Sequence, residues 1–322
     1  MYKTDPKHVI TPKKIYNYID TYVVGQHEAK MAVANAMFIH YVRYFESDVK
    51  GKTFNKSNLL LAGPSGSGKT LIVRKASEAI LHLTKYNMAP MLEVDCSQLS
   101  ASGWQGLDID DAISTFVRSQ QSASAESTVV FLDEIDKICM AAVGQGGTDH
   151  NRNTQYSLLK VIEGMSGLDT RGRKLNTEKM LFILAGNFPS IRHKREQDKK
   201  PKMGFSPEKI KAKDIDIHEE LQIAGMCTQL AGRISMVAET DPLNKKMLRD
   251  ILKSQLLPEY IGTFSFIASN IGIPSDSLKF TAKEIDKLAK DAYNKGVGAR
   301  GLRGVVDKAI SEKLFEIGEP NE

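Results

Sequence analysis

Apolar residues follow two rhythms along this chain, and the change from one to the other divides it. Between residues 58 and 187, short apolar runs recur: "NLLLAG" (58–63), "MLEVD" (91–95), "TVVFLDE" (128–134) and "KMLFILAGN" (179–187). Their brevity and lack of polar alternation predict strands buried on both faces, as in a parallel sheet. "TLIVRKASEAILHL", "IDDAISTFVRSQ" and "NTQYSLLKVIEGM" lie between them with helical spacing. Strands alternating with helices imply a doubly wound α/β sheet covered on both sides. Upstream, residues 11–45 read as helical. Thr11 is placed to cap, Pro12 takes the first helical position, and "VVGQ" (23–26) interrupts the pattern.

After about residue 237 the strand signal fades. "NKKMLRDILKSQLLPEYIGTFSFIA", "AKEIDKLAKDAYNK" and "GLRGVVDKAISEKLFEI" are amphipathic at helical period, and "SLKF" (277–280) is the one strand candidate among them. The expectation is a large α/β domain over 1–237 and a small, mostly α-helical domain over 238–322.

Composition narrows the class. The chain has 322 residues, 41% hydrophobic and 26% charged, which is ordinary globular usage. No apolar run approaches the roughly 18 residues of a membrane span, and "MYKTDPKHVI" does not read as a secretory signal. Three cysteines (Cys96, Cys139, Cys227) without a CxxC pair argue against a disulfide framework or a zinc site and fit a reducing cytoplasm. The net charge is +5, yet residues 191–213 hold nine Lys/Arg against three Asp/Glu, so the remainder is close to neutral. A basic run without aromatic interleaving argues against a nucleic-acid surface and for a solvated loop that touches a partner.

The chemistry begins with "GPSGSGKT" (63–70), which fits GxxxxGK[ST] between a strand and a helix. Backbone N–H groups of Pro64–Gly68 (Ser65, Gly66 and Ser67 between them, excepting proline's missing N–H) and of the helix start through Leu71 would wrap phosphate. Lys69 would reach the β- and γ-phosphates of ATP, and the Thr70 hydroxyl would ligate Mg2+. In "VVFLDEIDK", Asp133 and Glu134 close a buried strand, at the end where open α/β sheets bind ligands. Asp133 would hold Mg2+ through water, and Glu134 would polarise the attacking water. Asn187, after the next strand, is placed to orient that water, although asparagine is also a common turn former. Arg233 in "QLAGRIS" and Arg300 in "GVGARGLRG" are candidates to stabilise phosphoryl charge, or are surface arginines. Their setting decides.

The ordered set of "YVVGQ", "GPSGSGKT", "FLDEIDKI", "LLKVIEG", "LFILAGNF" and "GARGLR" resembles the AAA+ ATPases, in the group that holds ClpX and HslU. The resemblance runs through most of the chain. It implies that Tyr22, Val23, Val24 and Gln26 border the adenine pocket. By the same resemblance Arg233 is an arginine finger offered to a neighbouring subunit, and Arg300 is the sensor-2 arginine. A finger acting between subunits implies a ring, in this family a homo-hexamer.

The lone tryptophan lies in "GWQG" (103–106), where the family carries an aromatic pore loop that grips unfolded or tagged polypeptide. Trp104 and Gln105 are therefore expected to contact substrate; a buried indole anchoring a loop is the plainer alternative. Met203, Gly204 and Phe205 align roughly with the family's docking loop for a ClpP-like peptidase. Two departures bear on substrate choice. The zinc-binding domain that ClpX carries ahead of its AAA+ segment is not expected here, since the cysteines for it are lacking, and the insertion before the "LFI" strand reads as shortened to "LDTRGRKLNTEK". The implied function is ATP-dependent protein unfolding or remodelling. The rivals are a nucleic-acid motor or loader, and a scaffold whose nucleotide only fixes a ring.

Overall fold

The computed structural model describes residues 10–45, 55–84, 91–99, 108–120, 128–142, 149–168, 174–189, 216–271, 274, 277–296 and 298–316. The chain forms two compact units. One comprises residues 1–19, 27–63 and 69–240, the other 20–26, 64–68 and 241–322.

The first unit is built on a five-stranded sheet. Its strands are β1 (Leu59–Ala62), β2 (Leu92–Asp95), β3 (Val129–Asp133), β6 (Leu181–Gly186) and β7 (Met236–Glu239), in the order β2-β3-β6-β1-β7 with every pairing parallel. Leu59, Leu60 and Leu61 are at most 1% exposed, so both faces of β1, an interior strand, are covered. Each such side chain contributes about 1.5–3 kcal/mol by leaving water. On one face, Leu60, Val130, Leu132, Phe182 and Leu184 pack with α4 (Ile109–Ser119), α5 (Ile135–Cys139) and α6 (His150–Glu163). On the other, α2 (His27–Phe45) and α3 (Lys69–Thr84) bury Val33, Met37, Ile72, Val73 and Ile80. The fold is a doubly wound α/β sheet, as the spacing predicts. Helix α1 (Pro12–Asp20) opens with Lys14 N donating to Thr11 Oγ1 at 3.3 Å, the cap the sequence suggests.

Several elements carried no sequence signal. β7, "MVAE", lies at the sheet edge with one buried residue and three apolar positions, too short a run to stand out. A two-stranded antiparallel piece, β4 (Ser166–Leu168) with β5 (Lys174–Asn176), occupies the shortened insertion. Helices α7 (Ile217–Ile223) and α8 (Thr228–Ala231) are too short to show a period. The three cysteines, distant in sequence, enter one buried core as free thiols, and burial, followed by the charge of Asp136, pushes Cys139 up to about 12.

The second unit is helical: α9 (Lys245–Ile251), a widened π-type turn over Leu252–Leu256, α10 (Leu257–Ile271), α11 (Ala282–Asn294) and α12 (Gly298–Glu316). Pro258, just past the widened turn, has no N–H to give back to Ser254, which accounts for the local change of pitch. Thr281 and Glu284 form a reciprocal capping box on α11, and Glu284 also meets Lys313 at 2.6 Å. Leu248, Leu252, Leu288, Ala289, Leu302 and Val306 form the core. "SLKF" is not a strand. Leu278 is buried as a single knob in this core, but among the described residues no second strand pairs with 277–280. Without a ladder, an alternating tetrapeptide stays extended coil. No described helix is long and apolar enough to cross a membrane.

Lys56, ahead of β1, donates from Nζ to the carbonyls of Ile162 (2.9 Å) and Thr177 (3.2 Å) and lies 4.6 Å from the Phe182 ring centroid. Burial first, then the Arg43 charge, lowers its pKa to about 7 against an opposing pull from Glu178. The unfolded chain, with an ordinary value of 10.5, therefore binds more protons between about 7 and 10.5. Stability from this group rises with pH across that window. Denaturant melts at about pH 7 and about pH 10 should show wild type gaining on Lys56→Met as pH rises. A gap that does not change with pH would refute the assignment.

Candidate nucleotide site

The strand ends set the site. Parallel register puts Ala62 of β1 beside Gly186 of β6, and Leu132 of β3 beside Leu184 of the same strand. Gly63, Asp133 and Asn187 thus leave the sheet at the same edge. Lys69 starts α3 and is nearly buried, with Nζ donating to the Gly63 carbonyl at 2.7 Å. Thr70 Oγ1 donates to Asp133 Oδ2 at 3.2 Å, while Asp133 Oδ1 accepts the N–H of Glu134 at 2.9 Å. A hydroxyl and a carboxylate so joined are the hard oxygen donors that suit Mg2+. Leu71 is half-buried in the first turn of the same helix.

Glu134 is half-buried and left-handed at φ +55, between β3 and α5. A non-glycine residue there costs about 1–3 kcal/mol. Its side chain makes no capping hydrogen bond to α5, so the carboxylate is not spent on the helix it precedes. Asn187 is exposed, and its N–H donates to Asp136 Oδ1 at 3.1 Å. A Cβ on Gly186 would lie 2.8 Å from that same oxygen and 2.8 Å from Phe188, so only glycine lets β6 pass this close.

The second unit contains its own part of the candidate set. Loop 64–68 includes Gly68 at φ +99, with nothing within 4 Å of a would-be Cβ, so backbone conformation rather than space calls for glycine there. Ser67 is buried, Pro64 and Gly66 are half-buried, and Ser65 is exposed. Gln26 is buried and left-handed at φ +55. Its Nε2 donates to the carbonyls of Ser67 (3.2 Å) and Asp241 (2.8 Å), and its Oε1 accepts Asp241 N at 2.8 Å. One amide thus ties the "YVVGQ" segment to the phosphate loop. Val23 is buried, Val24 half-buried and Tyr22 exposed. Helix α12 starts against the same loop, with Ala299 N donating to the Gly66 carbonyl at 3.1 Å. Arg300 follows one residue later and is exposed.

Arg233 pairs with none of these groups. It follows α8 and pairs with Glu163, the last residue of α6. Trp104 and Gln105, and Met203, Gly204 and Phe205, lie outside the described residues.

Comparison with known proteins identifies the family. The model of the AAA domain (Cdc48 subfamily) matches residues 55–267, and that of the C-terminal, D2-small domain of ClpB protein matches 275–317. The chain is 30% identical to ATP-dependent Clp protease ATP-binding subunit ClpX 2 of Wolinella succinogenes, over 98% of this chain and 80% of that protein. It is 29% identical to subunit ClpX of Borrelia duttonii, over 97% of the chain and 76% of that protein, and 29% identical to that of Treponema denticola, over 95% and 77%. The chain belongs to the Clp-type AAA+ ATPases. It is an ATP-binding hydrolase with a P-loop α/β domain and a small helical region after it.

Two side chains escaped the sequence reading. Asp136 lies in the quoted "LDEIDK", but only the fold shows that its carboxylate reaches the loop after β6. Glu163, in "LLKVIEG", looks like an ordinary helix-end acid until Arg233 is seen beside it. Asp136→Ala should lower ATP turnover about tenfold, the scale of one charge-assisted hydrogen bond, with nucleotide affinity changed less. Steady-state ATPase and fluorescent-nucleotide titration test this; wild-type turnover would deny Asp136 its hold on the Asn187 loop.

Proposed function

We propose that this AAA+ ATPase is a ring-forming protein unfoldase or remodeller. The observation that carries the ATP-hydrolysing part of this reading is the joined Thr70–Asp133 pair at the strand ends, beside Lys69 and a Glu134 carboxylate free of capping duty. Lys69 and the N–H groups of 65–71 hold the phosphates of ATP, and Thr70 and Asp133 hold Mg2+, which supplies positive charge there when bound. Glu134 accepts a proton from the attacking water, and Asn187 orients that water. Tyr22, Val23, Val24 and Gln26 border the base. Arg233 reaches the nucleotide of a neighbouring copy in a homo-hexamer, and Arg300 serves the nucleotide from the small helical domain.

Trp104 and Gln105 grip unfolded or tagged polypeptide in the pore. Met203, Gly204 and Phe205 form the docking loop for a ClpP-like peptidase, and the protein works in the cytoplasm. The relatives are named as Clp protease subunits, which supports the polypeptide substrate. A nucleic-acid motor is not favoured.

Unfolding of a stably folded, tagged test protein, followed together with ATP consumption, tests the reading. Glu134→Gln should keep nucleotide binding and assembly and lose turnover by about a hundredfold or more, because an amide cannot take the proton. Near-normal turnover removes Glu134 from that role. Trp104→Ala should abolish unfolding while leaving ATPase within about twofold, and Trp104→Tyr should retain it, since grip needs a large face rather than an indole N–H. Undiminished unfolding by the alanine variant would return Trp104 to a structural role.

A further inference from the structure

Arg233 sits in a turn whose polar groups are held from several directions. Its guanidinium donates Nε–H and Nη2–H to one oxygen, Glu163 Oε1, at 3.0 and 2.5 Å. Its carbonyl accepts from Asn58 Nδ2 at 3.1 Å, and the Ile234 carbonyl faces His218 Nε2 at 3.1 Å. Ser235 N donates to the Asn58 carbonyl at 2.9 Å, and Ser235 Oγ to the Lys56 carbonyl at 3.3 Å. Lys56 in turn holds the Ile162 carbonyl, one residue before Glu163.

Stability does not explain the Glu163–Arg233 pair. The side chains are 40% and 52% exposed, and pairs so open to water add little to stability. Glu163 also ends α6, since Gly164 follows at φ +113. A carboxylate there opposes the helix dipole, an unfavourable place for it. Lys56 Nζ already donates to the Ile162 carbonyl at this end. Glu163 must therefore be doing something else, and the contact geometry indicates what. Side-on binding through Nε and Nη2 fixes the guanidinium plane. It leaves the Nη1 edge without a partner among the described residues, and that edge can donate to a phosphate.

We propose that Glu163 is a positioning residue for Arg233, holding the guanidinium side-on so that its Nη1 edge faces the phosphoryl group bound by a second copy of the chain. Asn58 and Lys56 support the seat, one through the Arg233 backbone and the other through the end of α6. This rests on the reading of Arg233 as a residue that acts on a neighbour's nucleotide. A charged holder that sequestered Arg233 would use its outer edge; this one leaves that edge open.

The test is a double-mutant cycle on ATP turnover by assembled full-length rings. Glu163→Ala should lower kcat about tenfold with KM for ATP within about twofold, because orientation matters after binding. Glu163→Gln should recover to within about threefold of wild type, since its amide oxygen still accepts both N–H groups. On an Arg233→Ala background, Glu163→Ala should add no further loss. Equal losses on both backgrounds, or a glutamine variant no better than alanine, would overturn the proposal. Thermal melts of all four chains separate misfolding from misplacement, and the glutamine variant keeps the test open should alanine fail to fold. If Arg233→Ala alone keeps wild-type kcat, the reading of Arg233 falls and the proposal with it. If Arg233→Ala is inactive and Glu163→Ala is normal, only the seat is refuted.

Discussion

The register of β1 against β6 is the constraint on which the nucleotide site depends. Parallel pairing of Leu59–Ala62 with Ile183–Gly186 makes the two strands end together, and β3 joins β6 in the same sense. A slip of one residue between β1 and β6 would turn one strand's side chains to the opposite face, where the core is packed around different shapes, and carry Gly63 and Asn187 past one another. Close packing of the buried leucines and Phe182 therefore holds the strand ends level, with Gly63, Asp133 and Asn187 at one end of the sheet.

Around that edge, polar groups are positioned by partners rather than by space. Asp133 divides its oxygens between Thr70 and the Glu134 N–H, and Asp136 spends an oxygen on Asn187. Within the second unit, Gln26 satisfies its buried amide on Ser67 and Asp241. Strain appears at Glu134 and Gln26, the two non-glycine residues with positive φ among those described. Both belong to motifs assigned to nucleotide, which agrees with the tendency of backbone strain to persist where surrounding contacts over-determine it. The second unit secures its own helices differently, through the capping box of Thr281 and Glu284 and the tie from Glu284 to Lys313. That carboxyl is held down to about 2, first by Lys313 and then by the Thr281 backbone.

Much of this was legible beforehand for a simple reason. Buried parallel strands must be apolar on both faces, and a phosphate loop needs glycine, lysine and a hydroxyl at set spacings, so "NLLLAG" and "GPSGSGKT" announce themselves. Elements that leaned on neighbours did not. The edge strand "MVAE" buries one residue and is too short to stand out, and α7 and α8 span too few turns for a helical period to show. "SLKF" failed in the opposite direction, because alternation alone cannot supply a pairing partner.

By itself, the sequence determined the α/β-then-helical order, the β1, β2, β3 and β6 strands and the residue types of a phosphate loop. These follow from local periodicity and from chemistry confined to a few consecutive positions. Only the tertiary structure decided that Asp136 reaches the Asn187 loop, that Gln26 ties a distant segment to Ser67, and that three scattered cysteines share one core. It also decided that Glu163 and Arg233, 70 positions apart, form a pair. A hydrogen bond depends on distance and direction in space, and neither is written in the spacing of residues along the chain.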